Sequence, residues 1–476
     1  MKMTSVTLKN FRCFKNLTID LDEKLTVLVA LNGQGKTSVL DAIRIAVWPY
    51  ISAFDVVAGT MPNSGIEIDD VRLVRNKNTK NMEPQLPSRI EAHMHYDGQP
   101  LSLARERDKV TKRSKTSVRE AKALSGLGAH LQTAIRVDAQ DETELTHNLA
   151  TALPMVSYYG TGRLWRQRYL TLKNQAASDF FSRTYAYVGC LDTGSDYKYF
   201  AEWFFYLFAA DFEQKTQRLE KSGYAGLHDV SFMYADLMQA IRDAVDQVVE
   251  PQGWRNLSYS PAQATLVMQS ANLGELKVDQ LSDGLKSVIA MTADIAYRCV
   301  RLNPHWGVEA AKNTSGIVIV DEIDMHLHPE WQQTILESLQ RAFPNIQFIV
   351  TTHSPQVLST VNAKSIRLIS STFDYQLNEL SVEAVTPATQ SRGVSSSDVM
   401  ATLQGTDPIP PVAESAWLRR YKELISQSQH LGAEGEELRA KIQLHFGMQH
   451  AEWLDCERLI RLQAMKEKVR QLKVKD

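Results

Sequence analysis

Apolar and polar residues alternate in Ser5-Val6-Thr7-Leu8-Lys9 and again from Leu17 to Leu21, a two-residue period that predicts half-buried strands. At Leu25–Ala30 the alternation gives way to a largely apolar run, the pattern of a strand covered on both faces. A glycine-rich turn follows, and then Ser38 to Val47 places Val39, Ile43, Ala46 and Val47 at helical spacing. Residues 50–150 are less regular, apart from a strand over Ile90–Tyr96 that turns at Asp97-Gly98 toward Leu101 and Leu103 as a hairpin. Residues 165–250 read as helical, clearest at Tyr199–Gln217 and Val230–Val249. The aromatic cluster Trp203, Phe204, Phe205, Tyr206 and Phe208 is either a helical core or a base-stacking platform. Short strands at Leu257–Ser260 and Thr265–Gln269 lead into alternating strand and helix from Gly274 to about Ala384. The tail from Ser395 is helical and charged, with a proline-rich joint at Pro408-Ile409-Pro410-Pro411. Within it Leu462, Met465, Val469 and Leu472 form a stripe that packs on the chain's own body or on a partner.

Length and composition narrow the class. A chain of 476 residues predicts two to four lobes, and 43% hydrophobic with 23% charged residues excludes a disordered chain. The apolar stretch Trp203–Ala210 is far short of the ~20 residues needed to cross a bilayer. The start of the chain reads as strand rather than secretory signal, and Cys13, Cys190, Cys299 and Cys456 are too scattered for a disulfide framework. The expectation is a soluble, cytoplasmic protein with no membrane partner. A formal net charge of −2 excludes a globally basic binder. Local charge remains: Arg105 to Lys122 holds eight basic and three acidic residues, either a solvated face or a phosphate-contacting patch.

The candidate chemistry begins where the buried strand ends. Ala30-Leu31-Asn32-Gly33-Gln34-Gly35-Lys36-Thr37, followed by Ser38, fits a phosphate-binding loop except that Ala30 stands at its first glycine. Gly33 and Gly35 supply unusual backbone angles and close approach, Lys36 reaches the β- and γ-phosphates of ATP, and Thr37 ligates Mg2+. The β-branched run Ile317–Val320 delivers Asp321 and Glu322 to a strand's C-terminal edge, Asp321 suited to Mg2+ and Glu322 to general-base activation of water. A further strand, Gln347–Thr352, ends at His353, which is placed to sense a γ-phosphate. His326 and His328 lack the partners of a zinc site and read instead as a loop contact across a subunit boundary. Leu281-Ser282-Asp283-Gly284 opens a helix, with Ser282 or Asp283 as its N-cap.

Taken together, LKNFRCF (Leu8–Phe14), ALNGQGKT, LSDG, IVIVDE (Ile317–Glu322), HLHP (His326–Pro329) and TTHSP (Thr351–Pro355) resemble, in order, the ABC-type ATPases of the RecF, SMC and OLD kind. That resemblance implies an α/β fold: an ABC-ATPase head with a mixed central sheet, an antiparallel β subdomain, a helical lobe and a C-terminal helical extension. It divides the chain into the two parts of a split head (1–164 and 256–394), a helical insertion (165–255) and a helical domain (395–476). It implies a composite site in a homodimer or higher homo-oligomer. There Asn32 to Ser38, Asp321, Glu322 and His353 act in cis, and Ser282, Asp283, Gly284 and Lys286 meet the γ-phosphate in trans. A glutamine-bearing loop is expected near Tyr158–Arg163, although the next glutamine is Gln167. The helices are too few for a long coiled-coil arm, and the residues after His353 lack the acidic constellation of a Toprim nuclease.

Further stretches look like the PtuA family, the ATPases of Septu anti-phage systems: Val47-Trp48-Pro49, Ile66–Leu73, YYGTGRLW (Tyr158–Trp165) and Phe446–Gln463. This likeness implies an HNH endonuclease partner of the PtuB kind and, in retron versions, a reverse transcriptase with its branched DNA–RNA product (msDNA). The alternative is an ATPase clamp that binds DNA for repair or recombination.

Overall fold

The structure is a computed structural model that describes residues 1–58, 64–76, 78–138, 151–163, 182–192, 198–222, 233–374 and 379–473. Its strands are β1 (Lys2–Phe11), β2 (Phe14–Asp20), β3 (Leu25–Val29), β4 (Leu73–Arg75), β5 (Met82–Pro84), β6 (Ser88–Tyr96), β7 (Gln99–Arg107), β8 (Met155–Tyr159), β9 (Trp254–Ser260), β10 (Thr265–Ser270), β11 (Gly274–Lys277), β12 (Gly316–Val320), β13 (Ile346–Thr351), β14 (Ile366–Asp374) and β15 (Glu379–Val385). The longer helices are α1 (Lys36–Ile51), α2 (Lys122–Asp138), α3 (Lys198–Ser222), α4 (Met233–Val249), α5 (Asp283–Leu302), α6 (Ile335–Ala342), α7 (Ala413–Ser426), α8 (Ala433–Phe446) and α9 (Ala451–Lys473). Two compact units divide between Val399 and Met400.

In the first unit the central sheet runs β15-β14-β3-β13-β12-β8, parallel throughout except for β15, which pairs antiparallel with β14. Every residue of β3, β8, β12 and β13 is buried, which is why these segments are largely apolar rather than alternating, with Thr26, Ser157, Gln347 and Thr351 as buried polar members. An antiparallel sheet, β2-β1-β6-β7, forms the β subdomain, and β11-β10-β9 forms a second, smaller one. The fold is thus an ABC-type head: mixed central sheet, antiparallel β subdomain, helical lobe and helical extension.

The aromatic cluster packs as helical core. Trp203 and Phe204 are buried, Trp203 lies edge-on to Tyr297 of α5 at 5.1 Å, and Phe205 and Phe208 lie against Tyr259. The second unit has its own core of Tyr421, Leu424, Ile425, Leu438, Ile442, Trp453 and Cys456. Leu462 and Met465 of the tail stripe are exposed, whereas the side chains of Val469 and Leu472 lie outside those described. Among the described residues no helix is long and apolar enough to cross a membrane.

The basic run Arg105–Lys122 is not one surface. Arg105 is fully buried and Arg107 nearly so, and both spend their guanidinium groups on backbone carbonyls. The cause lies in α1. Pro49 has no N–H, so the Ile45 carbonyl one turn back loses its helical donor, and Arg105 Nη1 replaces it at 3.0 Å. Arg107 holds the carbonyls of Ile66 (2.9 Å) and Thr111 (3.1 Å), tying down the segment beyond β7. Lys109, Lys112, Arg113, Lys115, Arg119 and Lys122 are exposed.

Candidate nucleotide site

Four adjacent parallel strands, β3, β13, β12 and β8, present their C-terminal ends along one edge of the sheet, the edge where open α/β sheets bind ligands. Residues 30–37 follow β3, His353 follows β13, Asp321 and Glu322 follow β12, and Gly160–Arg163 follow β8.

In the loop after β3, Gly33 and Gly35 have φ of +79° and +90°. At Gly35 space forbids a side chain as well: a Cβ would stand 2.5 Å from Phe14 Cζ and 2.7 Å from Cys13 Sγ. Ala30 is not among the positive-φ residues, so the missing first glycine costs no backbone strain. Gln34 closes the loop on itself, accepting the Leu31 N–H at 3.2 Å and donating to Ser371 Oγ at 3.3 Å. Lys36 is buried and its Nζ donates to the Ala30 carbonyl at 2.8 Å. Burial lowers its pKa, against the pull of Asp321, Glu322 and Asp324. Asn32 is exposed, and Ser38 Oγ accepts from Arg12, which is also paired with Asp41 and Asp70 at 2.7 and 2.8 Å.

Asp321 is 3% exposed and lies between two hydroxyls: Thr37 Oγ1 donates to its Oδ2 at 2.8 Å and Thr351 Oγ1 to its Oδ1 at 2.6 Å. A hydroxyl and a carboxylate converging in this way are the donor set that suits Mg2+ beside a polyphosphate. Glu322 has φ +49°, a conformation that costs a side-chain-bearing residue about 1–3 kcal/mol. Thr351 Oγ1 takes its N–H at 2.7 Å, while Arg163 takes its carbonyl at 2.5 Å. His353 stands at the tip of β13 between Thr352, bonded to Asp324 at 2.5 Å, and Ser354, bonded to Gln332 at 2.6 Å. Its pKa is lowered by burial first and by Lys36 second, so the neutral imidazole is favoured.

Ser282 is the N-cap of α5, its Oγ accepting the Leu285 N–H at 3.4 Å. Asp283 is exposed and pairs with Lys286 at 2.7 Å. A Cβ on Gly284 would fall 2.2 Å from the His326 carbonyl, so this turn packs against His326 and Leu327 of the same chain. Loop 30–37, Asp321, Glu322 and His353 are thereby gathered at one sheet edge, whereas Ser282 and Asp283 face solvent on a separate turn.

Sequence reasoning left three contributors unassigned. Thr351 bridges Asp321 and Glu322, and its signal was a polar residue ending a buried strand. Asp324 holds Thr352. Arg163 occupies the stretch where a glutamine-bearing loop was expected, and Gln167 lies outside the described residues.

The chain resembles known proteins along most of its length. Residues 46–359 match the family described as "AAA domain, putative AbiEii toxin, Type IV TA system", and residues 1–85 match "AAA ATPase domain". The chain is 27% identical over 485 residues to the Retron Vc95 probable ATPase of Vibrio cholerae serotype O1 biovar El Tor, covering 90% of this chain and 84% of that one. Over 79 residues it is 46% identical to Septu protein PtuA of Bacillus mycoides, covering 17% of this chain and 10% of that one. An SMC head bound to the C-terminal winged-helix domain of ScpA superposes with a TM-score of 0.47 at 14% identity, over 81% of this chain and 98% of that one.

Proposed function

The chain belongs to this AAA domain family, and we propose that it binds and hydrolyses ATP at the edge formed by β3, β13, β12 and β8. The observation that carries the reading is the run of hydrogen bonds Thr37–Asp321–Thr351–Glu322, which fixes a hydroxyl and two acidic residues beside Lys36. The N–H groups of residues 32–38 and the start of α1 cradle the phosphates, and Lys36 exchanges the Ala30 carbonyl for a phosphate oxygen. Thr37 and Asp321 would hold Mg2+, which supplies charge neutralisation on the phosphates when bound. Glu322 takes a proton from the attacking water, and His353 hydrogen-bonds the γ-phosphate. Ser282, Asp283 and Gly284 face the γ-phosphate of a second copy, making the working form a homodimer or larger. ATP turnover tests this: Glu322→Gln lowers kcat about 10²–10⁴-fold with nucleotide affinity kept, and Lys36→Ala loses affinity. Unchanged binding in Lys36→Ala refutes the site.

The likeness to a retron ATPase along most of the chain and to PtuA over a short segment supports a role in anti-phage defence. In that role the protein controls a separate HNH nuclease, with a retron reverse transcriptase and msDNA in some systems. The purified chain then leaves DNA intact, and co-expression with the HNH protein yields a nuclease-active complex. Strong metal-dependent cleavage by this chain by itself would overturn that role. The second reading, a DNA-binding clamp, is favoured by the exposed cations Lys109, Lys112, Arg113 and Lys115, on a segment held down by Arg107. Its mark is salt-sensitive, ATP-stimulated duplex binding without a nuclease.

A further inference from the structure

We propose that Arg163 is a positioning residue for hydrolysis, one that holds the Glu322 carboxylate in its working place; the inference rests on the reading of Glu322 as general base. Arg163 follows β8, at the edge of the sheet beside β12, and is only 2% exposed. Its Nη1 donates to the Gly160 carbonyl at 3.1 Å and to the Asp321 carbonyl, and its Nη2 donates to the Glu322 carbonyl at 2.5 Å. A planar guanidinium can fork across two successive carbonyls, which an ammonium, a single point donor centre, cannot match.

The need for such a grip comes from the backbone. Glu322, with φ +49°, occupies a region that residues with side chains avoid. Two bonds hold it there from opposite sides: Thr351 Oγ1 takes its N–H and Arg163 takes its C=O. Arg163 Nη1 also holds the C=O of the Asp321–Glu322 peptide, the one that turns with φ of Glu322, so without Arg163 that peptide is free to rotate about the Glu322 N–Cα bond and relax to negative φ. That rotation swings the Glu322 side chain away from the line set by Thr37 and Asp321. The Asp321 N–H, bonded to the Tyr159 carbonyl at 2.8 Å, ties β8 to the same turn. The end of β8 and Arg163 therefore form a buried clamp on the backbone that presents Glu322, and Arg163 acts on the reaction through that backbone.

The test compares Arg163→Lys and Arg163→Met with Glu322→Gln in the full chain, reading kcat, KM, equilibrium ATP binding and the melting midpoint. The expected result is a kcat lowered about 10²-fold in Arg163→Met, less in Arg163→Lys, with ATP affinity within about twofold of wild type. Adding Arg163→Met to Glu322→Gln should slow turnover no further, because the carboxylate it positions is already gone. Wild-type kcat in both Arg163 variants beside an inactive Glu322→Gln overturns the inference and leaves the base reading intact. Wild-type kcat in Glu322→Gln overturns the base reading and this inference with it. A joint fall of ATP affinity and melting midpoint in Arg163→Lys, which keeps charge and bulk, marks a purely structural residue and overturns it too.

Discussion

On α4, the Asp246 carboxylate accepts the Asn256 N–H at 2.8 Å, yet burial pushes its pKa up to about 6 from an ordinary 3.8. A carboxyl raised in this way binds its proton more tightly in the folded chain than in the unfolded one. Stability from this group is therefore greatest at low pH and is lost as pH rises through about 6. His353 has the opposite sign: its lowered pKa means the unfolded chain takes the proton first, so acidification below 6.5 costs stability. Asp246→Asn keeps the acceptor oxygen and removes the charge. It should raise the melting midpoint at pH 8, with the gain shrinking as pH falls through 6 and gone below about 4. A gain independent of pH would show that charge is not the cause.

At the scale of elements, α5 and β8 are joined by a buried polar cluster. Tyr159 donates to Asp294 at 2.7 Å, Arg298 Nε donates to the same carboxylate oxygen at 2.8 Å, and Arg298 Nη1 reaches the carbonyls of Ala186 and Val188. Asp294→Ala leaves a guanidinium buried without its carboxylate and should cost about 3–5 kcal/mol. Tyr159→Phe should cost about 1–2 kcal/mol, and the two losses should not add. Denaturant unfolding of the single and double variants checks this. The strands were legible because β-branched runs such as Ile317–Val320 leave few alternatives, and the glycine turn between β3 and α1 because its residues are contiguous. What escaped depends on contacts far apart in sequence. Arg105 looked like part of a charged surface because nothing local reveals that Pro49 has stripped a donor from Ile45. Arg163 and Thr351 escaped for the same reason, since their partners are brought near only by the order of strands in the sheet. Asp294 and Arg298 have the four-residue spacing of an ordinary surface pair, and only the burial of α5 on every side distinguishes them.

For the whole molecule, the proposed role of Ser282, Asp283 and Gly284 predicts a reaction shared between copies. Lys36→Ala damages the phosphate loop and spares the signature, whereas Ser282→Arg does the reverse. Each variant should be inactive. Mixed in equal amounts, they should recover about a quarter of the wild-type rate, since half the dimers are mixed and each holds one intact site of two. No recovery on mixing, measured by phosphate release, would mean that the signature does not act in trans.

The contact of Cys13 with Gly35 also has a practical side. Cys190, Cys299 and Cys456 are buried, so Cys13 is the exposed residue of the four, and its Sγ lies against Gly35. Partial burial of the sulfur against the loop raises its pKa, so it reacts slowly at neutral pH and faster as the medium is made alkaline. The sequence thus carries a labelling handle beside the proposed nucleotide site, and an environment-sensitive dye placed there would test occupancy without an engineered cysteine.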